Sequence, residues 1–539
     1  MLSRYFHTIR YLKPGQIVAR ARFRLFRPKP DLAPPPPARS LVRTPAAPIE
    51  PAPRLLAPDV FRFLNRERQC SAAADWCPPD MPKLWVYNLH YFDDLNAQGA
   101  VARRAWHEQL IERWVRENPP GQGDGWEPYP VSRRIVNWIK WATADNRLPN
   151  IAQQSLAVQC RWLLRRLEYH LLGNHLLANA KALVYAGLYF EGTEAECWYE
   201  RGIAILKREV REQVLPDGAH FELSTMYHAT VLEDLIDLVN VSYAYGRKPP
   251  QDWMEAIERM RYWLGAMSHP DGDIAFFNDA SFGVAPTYAA LEAYASRLGL
   301  PPMTEAQRSV AVLDSSGYVT VTAGPAYLVC DCAEIGPDYL PGHAHADTLS
   351  FELSLFKKRI FVNSGTSQYG VGKERDRQRG TSAHNTVVID GQDSSEVWSG
   401  FRVARRARAR LHHAQRESGA TVIEGSHNGY HRLPGRNEHR RRWTIDSTSL
   451  HIEDRITGPF RSAEACFHVH PQVDVRSCSG MEVELACGAE VRVRMLFEGA
   501  EQVSVQDTTW HPEFGIALPS SRVVARFAGP SLTTRVYWG

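Results

Sequence analysis

Between Gly342 and Asp347 the chain reads Gly-His-Ala-His-Ala-Asp, placing two imidazoles and a carboxylate within five residues. On an extended segment alternate side chains face the same way, so His343 and His345 can serve one site while Ala344 points away. His-x-His pairs recur in metal centres because neutral imidazole is a good zinc ligand, whereas hydrogen bonding within a loop is the plainer reading. Further on, Asn363 ends an apolar run and His384 precedes another. His345 and His384 could converge across neighbouring strands, but zinc wants a third ligand, and Asn363 is a poor substitute for a carboxylate.

Two more segments carry polar groups at helix starts. Gly173-Asn174-His175 opens a strongly apolar run. Free backbone N–H groups and the helix dipole make that position suit an anion, while simple capping by Asn174 is the alternative. Residues 216–228, PDGAHFELSTMYH, bring Tyr227 together with His220 and His228. A tyrosine near a cation can enter proton-transfer range, although a tyrosine in an aromatic-rich helix is more often core.

The elements that must position these groups change character along the chain. Apolar residues recur at spacings of three and four over 105–118, 132–144, 151–171, 174–190, 224–245 and 252–267, predicting a series of helical hairpins. From about Ser316 short β-rich runs take over, at 318–322, 327–331, 349–356, 360–363, 386–390, 421–424 and 450–453. Such runs separated by Gly and Asp predict antiparallel sheets. The Pro-rich stretch 28–58 favours polyproline II and cannot bury a core, so it reads as an arm.

Composition narrows the class. With 539 residues, 44% hydrophobic and 23% charged, the chain is an ordinary globular one, long enough for two domains. Sixty-three Lys plus Arg against 60 Asp plus Glu leave +3, which supplies no global field for nucleic acid. The basic runs 402–410 and 440–442 read as surface ion pairs. Nine scattered cysteines predict free thiols, and the Cys330-x-Cys332 pair is read as buried and inert. No run of apolar residues is long enough to span a membrane, and the basic N-terminus shows no apolar export core.

Four ordered motifs, GNHLLANAKALVYAGLYF, PDGAHFELSTMYH, GHAHADTLSFEL and SAHNTVVIDG, resemble the heparinase II/III-like polysaccharide lyases. LWVYNLHYFDDL and GWEPYPVSRRIVNW look like upstream segments of the same family, so the resemblance covers about residues 80–539. It implies an incomplete (α/α) toroid at 76–310 followed by an antiparallel multi-sheet domain at 311–539, after a basic, Pro-rich segment at 1–75, with the active site between the two halves.

By position in the motifs, Asn174 and His175 would engage a substrate carboxylate, Tyr227 would be the catalytic tyrosine and His343 the catalytic histidine. In several relatives the positions of His345, Asn363 and His384 hold a zinc; the relatives' aspartate is Asn363 here, and a glutamate of some relatives is Ala178. The implied reaction is β-elimination on a uronic-acid polysaccharide, giving a 4,5-unsaturated sugar, with no organic cofactor.

Arg133 and Arg134, beside Trp126 and Tyr129, could supply charge and stacking for anionic sugars, and Tyr369 joins this substrate-facing group. A glycoside hydrolase using a pair among Asp217, Glu222, Asp271 and Asp279 is a competing reading. A glycan-handling protein of exopolysaccharide assembly with little activity is another. The resemblance implies a periplasmic location, and the lack of a visible export signal a cytoplasmic one.

Overall fold

The structure, a computed structural model, describes residues 2–303 and 309–539. Twelve α-helices lie among the described residues: α1 (Leu2–Ile9), α2 (Pro14–Leu25), α3 (Lys83–Tyr91), α4 (Arg104–Glu117), α5 (Pro128–Thr143), α6 (Asn150–Arg165), α7 (Gly173–Tyr189), α8 (Thr193–Gln213), α9 (Thr225–Ala244), α10 (Gln251–Ala266), α11 (Tyr288–Arg297) and α12 (Lys373–Arg379). Helices α3 to α11 form the toroid. Its core is unusually rich in indoles: Trp85, Trp114, Trp138, Trp198 and Trp253 are all fully buried. Buried aromatics of this size bring a large apolar area out of water, which stabilises a hairpin array whose single members could not bury a face alone.

From Val310 onward three antiparallel sheets share a second core. A five-stranded sheet runs in chain order from Val310–Leu313 to Lys358–Phe361. A four-stranded sheet holds Val387–Ile389 at one edge beside Ala463–His468. An eight-stranded sheet has Ser449–Ile456 and the terminal strand Ser531–Trp538 at its centre. Phe351, Phe467 and Phe497, one from each sheet, are buried in one apolar cluster. Strand Val491–Glu498 alternates buried and open positions as a one-sided strand should, whereas all of Phe351–Leu355 is buried, as expected beneath both layers.

Two sequence expectations change here. The apolar periodicity through 151–171 suggested one helix, but α6 stops at Arg165. The Asn179 side chain captures the Glu168 backbone N–H at 2.8 Å and its carboxylate at 2.9 Å, and Leu172 turns at φ 65°, so tertiary bonds override the local pattern. The Pro-rich arm, in turn, is a strap. Its backbone meets α7 and α9 through Arg39 N–H to Tyr189 O and Val42 N–H to Ala244 O, and Arg161 donates to the carbonyls of Ala33 and Pro34.

The basic runs are ion-paired, with Arg405 on Glu396, Arg406 and Arg408 on Asp338, and Arg441 buried on Asp454. All nine cysteines are free, and Cys330 and Cys332 are buried.

Candidate active site

A cleft of about 1530 Å³ lies between the helical half and the sheets. Helical periodicity decides which side chains enter it. Along α5, Tyr129, Arg133, Val136 and Lys140 form one stripe at spacings of three and four and line the cleft. Along α9 the stripe is Tyr227, Thr230, Glu233 and Asp237. Asn174 and His175 enter from the first turn of α7, where Leu172 occupies the cap position, so Asn174 is not the cap.

This phase corrects two expected substrate contacts. Arg134 follows Arg133 by one residue, about 100° round the helix, and points into the core. It is fully buried, donates to Gln159 Oε1, His90 O and Gly125 O, and lies 3.7 Å over the Trp114 ring. Trp126 is buried as well, its indole N–H bonded to Asn118 O. Both hold the toroid together and do not reach the cleft. Arg133 and Tyr129 do: Arg133 pairs with Asp93 at 3.2 Å, and Tyr129 lies 4.6 Å from the His175 ring.

His175 is held by a partner absent from the motif reading. Its Nδ1 meets Glu168 Oε1 at 3.1 Å. Burial pulls the imidazole toward neutrality, but the Glu168 charge and hydrogen bond outweigh it and raise the His175 pKa. The same pair lowers Glu168 against its own burial. The result is an imidazole facing the cleft whose charged form is favoured by a buried carboxylate behind it.

Across the cleft, the Tyr227 and His343 rings lie 3.9 Å apart at 31°, and the Tyr227 hydroxyl meets that of Tyr369 at 3.0 Å. Burial, then the neighbouring Tyr369, push Tyr227 well above the ordinary phenol value, so it rests protonated. His343 Nδ1 is engaged by Asp279 at 2.9 Å, which leaves Nε2 directed past Glu222 Oε2, 3.7 Å away. Asp279 accepts from a remarkably full set of donors: both terminal nitrogens of buried Arg375, His343, His345 and Thr366 Oγ1. Burial would raise its pKa; the Arg375 charge and the two histidine bonds hold it well below the carboxylate range instead.

Glu222 lies under the start of α7. Burial raises its carboxyl above the usual value, against opposing pulls from His343 and the Asn174 backbone. Gly173 is required there: it adopts φ +54°, and a Cβ would stand 2.3 Å from Leu340 Cδ2 and 2.9 Å from Glu222 Oε1. Gly173→Ala is expected to cost about 1 to 3 kcal/mol in urea unfolding and to raise KM, because Asn174 and His175 hang from that turn. An unchanged KM would separate the turn from substrate binding.

The expected metal set is also rearranged. His345 Nδ1 and His384 Nε2 are buried without hydrogen-bond partners. A ring nitrogen of each of these two histidines and a carboxylate oxygen of Asp347 lie within 4.8 Å of one another. Asn363 is committed elsewhere: its Nδ2 donates to Phe276 O at 2.8 Å, and its Oδ1 faces His384 Nδ1 at 3.2 Å. It orients His384, while the third donor comes from Asp347 in the same motif as His345. Burial lowers His345 to about 4, against the Asp279 bond, and His384 to about 3, against a weak upward pull from the Gln378 backbone, so both rings are neutral.

Of the four carboxylates considered for hydrolysis, Asp217 accepts from Ser316 and Asp271 pairs with Arg359, and neither lines the cleft. Asp279 is saturated by its donors, so no second member of this set is left to pair with Glu222.

The architecture of a helical toroid followed by antiparallel sheets is a fold shared with solved lyase structures. A crystal structure of heparinase III superposes with a TM-score of 0.70 at 19% identity, covering 86% of this chain and 78% of that one. A heparan sulfate lyase from Pedobacter heparinus gives 0.59 at 18%, covering 97% and 87%. The heparinase II/III N-terminus model matches residues 96–297 and the heparinase II/III-like C-terminal model residues 305–539. The chain belongs to the heparinase II/III-like family. Among curated relatives, a heparin-sulfate lyase of Bacteroides stercoris is 25% identical over 342 residues, 54% of this chain and 51% of that protein. One of Pedobacter heparinus is 25% identical over 329 residues, 54% and 48%. The chain thus spans about half the length of the curated relatives it matches.

Proposed function

We propose that this protein cleaves a uronic-acid-containing polysaccharide by β-elimination. The observation that carries the reading is the meeting, in one cleft, of a histidine bonded to a buried carboxylate with a protonated tyrosine stacked on a histidine. His175 and Asn174 would neutralise the uronate carboxylate, so that negative charge developing on removal of the C5 proton is stabilised in a partly desolvated place. Tyr227, protonated at rest, donates to the C4 oxygen as the bond to the next sugar breaks. His343, its Nδ1 engaged by Asp279, presents Nε2 as the base; where both protons lie on one face of the ring, His343 Nε2 would first take the Tyr227 hydroxyl proton, and Tyr227 would then remove the C5 proton and return it to the C4 oxygen. Tyr369 positions the Tyr227 hydroxyl. Incubation with a panel of uronic-acid polymers, followed by ultraviolet absorbance, tests this: a rise marks the conjugated double bond, and new reducing ends without it would replace elimination by hydrolysis.

The His175–Glu168 pair sets a pH dependence. Because the folded pKa of His175 is raised, its charge is present below that value and is lost as pH rises through it. The kcat/KM profile is expected to fall on its alkaline side, and Glu168→Gln to move that limb to lower pH. A limb that stays in place would remove His175 from carboxylate binding.

The cluster of His345, Asp347 and His384 fits a zinc ion, since two neutral imidazoles present unpartnered nitrogens toward a carboxylate. When bound, the ion would supply a fixed positive charge tying the 342–347 loop to the segment that leads into strand Val387–Ile389, beside His343. Elemental analysis of the purified protein is expected to find zinc, with His384→Ala and Asp347→Asn losing it and a chelator lowering the unfolding temperature. Protein free of metal in a zinc-supplemented preparation, with its unfolding temperature indifferent to chelator, would rule the site out.

A further inference from the structure

The two N-terminal helices are built inside out for a soluble surface. Helix α1 turns its polar side to the body: Thr8 Oγ1 contacts Val403 O and accepts from the Trp398 indole, and Arg4 approaches Glu396 at 4.0 Å. Its apolar side faces solvent, with Leu2 88%, Phe6 65% and Ile9 51% exposed. On a helix these three fall within one narrow sector.

Helix α2 repeats the pattern. Gln16 and Phe23 face inward, Gln16 donating to Tyr339 O and Phe23 lying 4.1 Å from the His170 ring. The opposite side exposes Ile17 at 50%, Val18 at 68% and Leu25 at 87%. At 100° per residue that stripe is centred about 180° from the inward pair and is flanked by Arg20 and Arg24 on one side and Arg22 on the other. Eight of the 22 exposed large apolar side chains of the described residues lie between Leu2 and Phe26, so the clustering is far beyond scattered surface exposure.

Charge completes the pattern. Residues 2–30 contain eight Lys plus Arg and no Asp or Glu, in a protein whose total is only +3. Among the described residues these cations make two salt bridges, Arg4 with Glu396 and Lys13 with Glu212. No helix among the described residues is long and apolar enough to cross a membrane. Exposed apolar stripes edged by unpaired arginines match a helix lying in the boundary of an anionic bilayer, with apolar side chains in the acyl region and guanidinium groups at phosphates.

We propose that α1 and α2 attach this protein peripherally to an anionic phospholipid surface. Both helices are already folded and docked, Arg166 donating to the carbonyls of Phe23 and Phe26, so attachment requires no ordering of a free tail. Tyr5, Ile9 and Leu12 also line one edge of the cleft, which places its mouth beside the bilayer.

The test is co-sedimentation of the full chain with vesicles of phosphatidylcholine alone or with ~30% phosphatidylglycerol. Binding is expected to be at least ~10-fold tighter to the anionic vesicles and to weaken as salt is raised. Phe6→Glu with Leu25→Glu should abolish it, and Arg22→Gln with Arg24→Gln should remove the preference for anionic lipid. An unchanged unfolding temperature, and unchanged turnover on any soluble polymer, would show each variant folded. No binding to either vesicle overturns the proposal. So does a dimer in sedimentation velocity that Phe6→Glu dissociates, since a second copy would then cover the stripes. Binding that survives the glutamate variants overturns it as well.

Discussion

Replacing Tyr227 by Phe is expected to lower the rate of unsaturated-product formation by about 10²- to 10⁴-fold, the usual worth of a positioned proton donor. The loss should fall on kcat and leave glycan affinity nearly unchanged. The ring would still stack on His343 at 3.9 Å, and only the hydroxyl shared with Tyr369 would go. Removing that hydroxyl leaves the Tyr369 hydroxyl without its partner in a partly buried place, a modest cost that folding can absorb. Tyr369→Phe should be milder, because it removes a group that orients the donor and leaves the donor itself. Stopped-time absorbance assays beside equilibrium binding would distinguish the two effects. A Tyr227→Phe protein with full activity would transfer the proton donation to another residue and unseat the mechanism.

Asp279→Ala should be the most destabilising change at the site. Asp279 and Arg375 are both fully buried, and the guanidinium meets both carboxylate oxygens. Removing one partner of a buried pair leaves an uncompensated charge, at about 3 to 5 kcal/mol. The substitution also releases His343 and His345, so activity should fall beyond what instability explains. Replacing both members of the pair, as Asp279→Leu with Arg375→Met, should recover most of the stability, because two apolar groups of similar volume need no mutual attraction to offset desolvation. It should not recover turnover, since nothing would then hold His343 Nδ1. Urea unfolding and kcat measured on the same three proteins would separate these contributions. A double variant as unstable as the single one would mean the cost lies in lost packing.

Much of the site was legible because motifs place residues in a local frame. Gly342 to Asp347 reads as an extended segment with His343 and His345 on one side, and Asn174 and His175 read as the first turn of a helix. What escaped that reading came from far along the chain. Glu168 bonds His175 only because α6 stops early and the chain turns back. Asp279 and Arg375 meet across 96 positions, and nothing in the charged run Lys373–Arg379 marks Arg375, and not the equally buried Arg379, as the partner of Asp279. A carboxylate set among apolar residues at 276–282 was the one available signal for Asp279.

The sequence by itself determined the order of helices then sheets, since periods of 3.6 and 2 are written in the spacing of apolar residues and need no partner to be read. It also determined which residue types could do chemistry. Tertiary structure alone decided their assignments. Helix phase turned Arg133 into the cleft and Arg134 into the core. Packing gave Asn363 to His384 as an orienting amide and left Asp347 as the third donor. Burial decided that Tyr227 rests protonated, while Glu168 raises the pKa of His175 against its burial. Each of these depends on which groups are removed from water together, a property of the folded ensemble of contacts and not of any local stretch of chain.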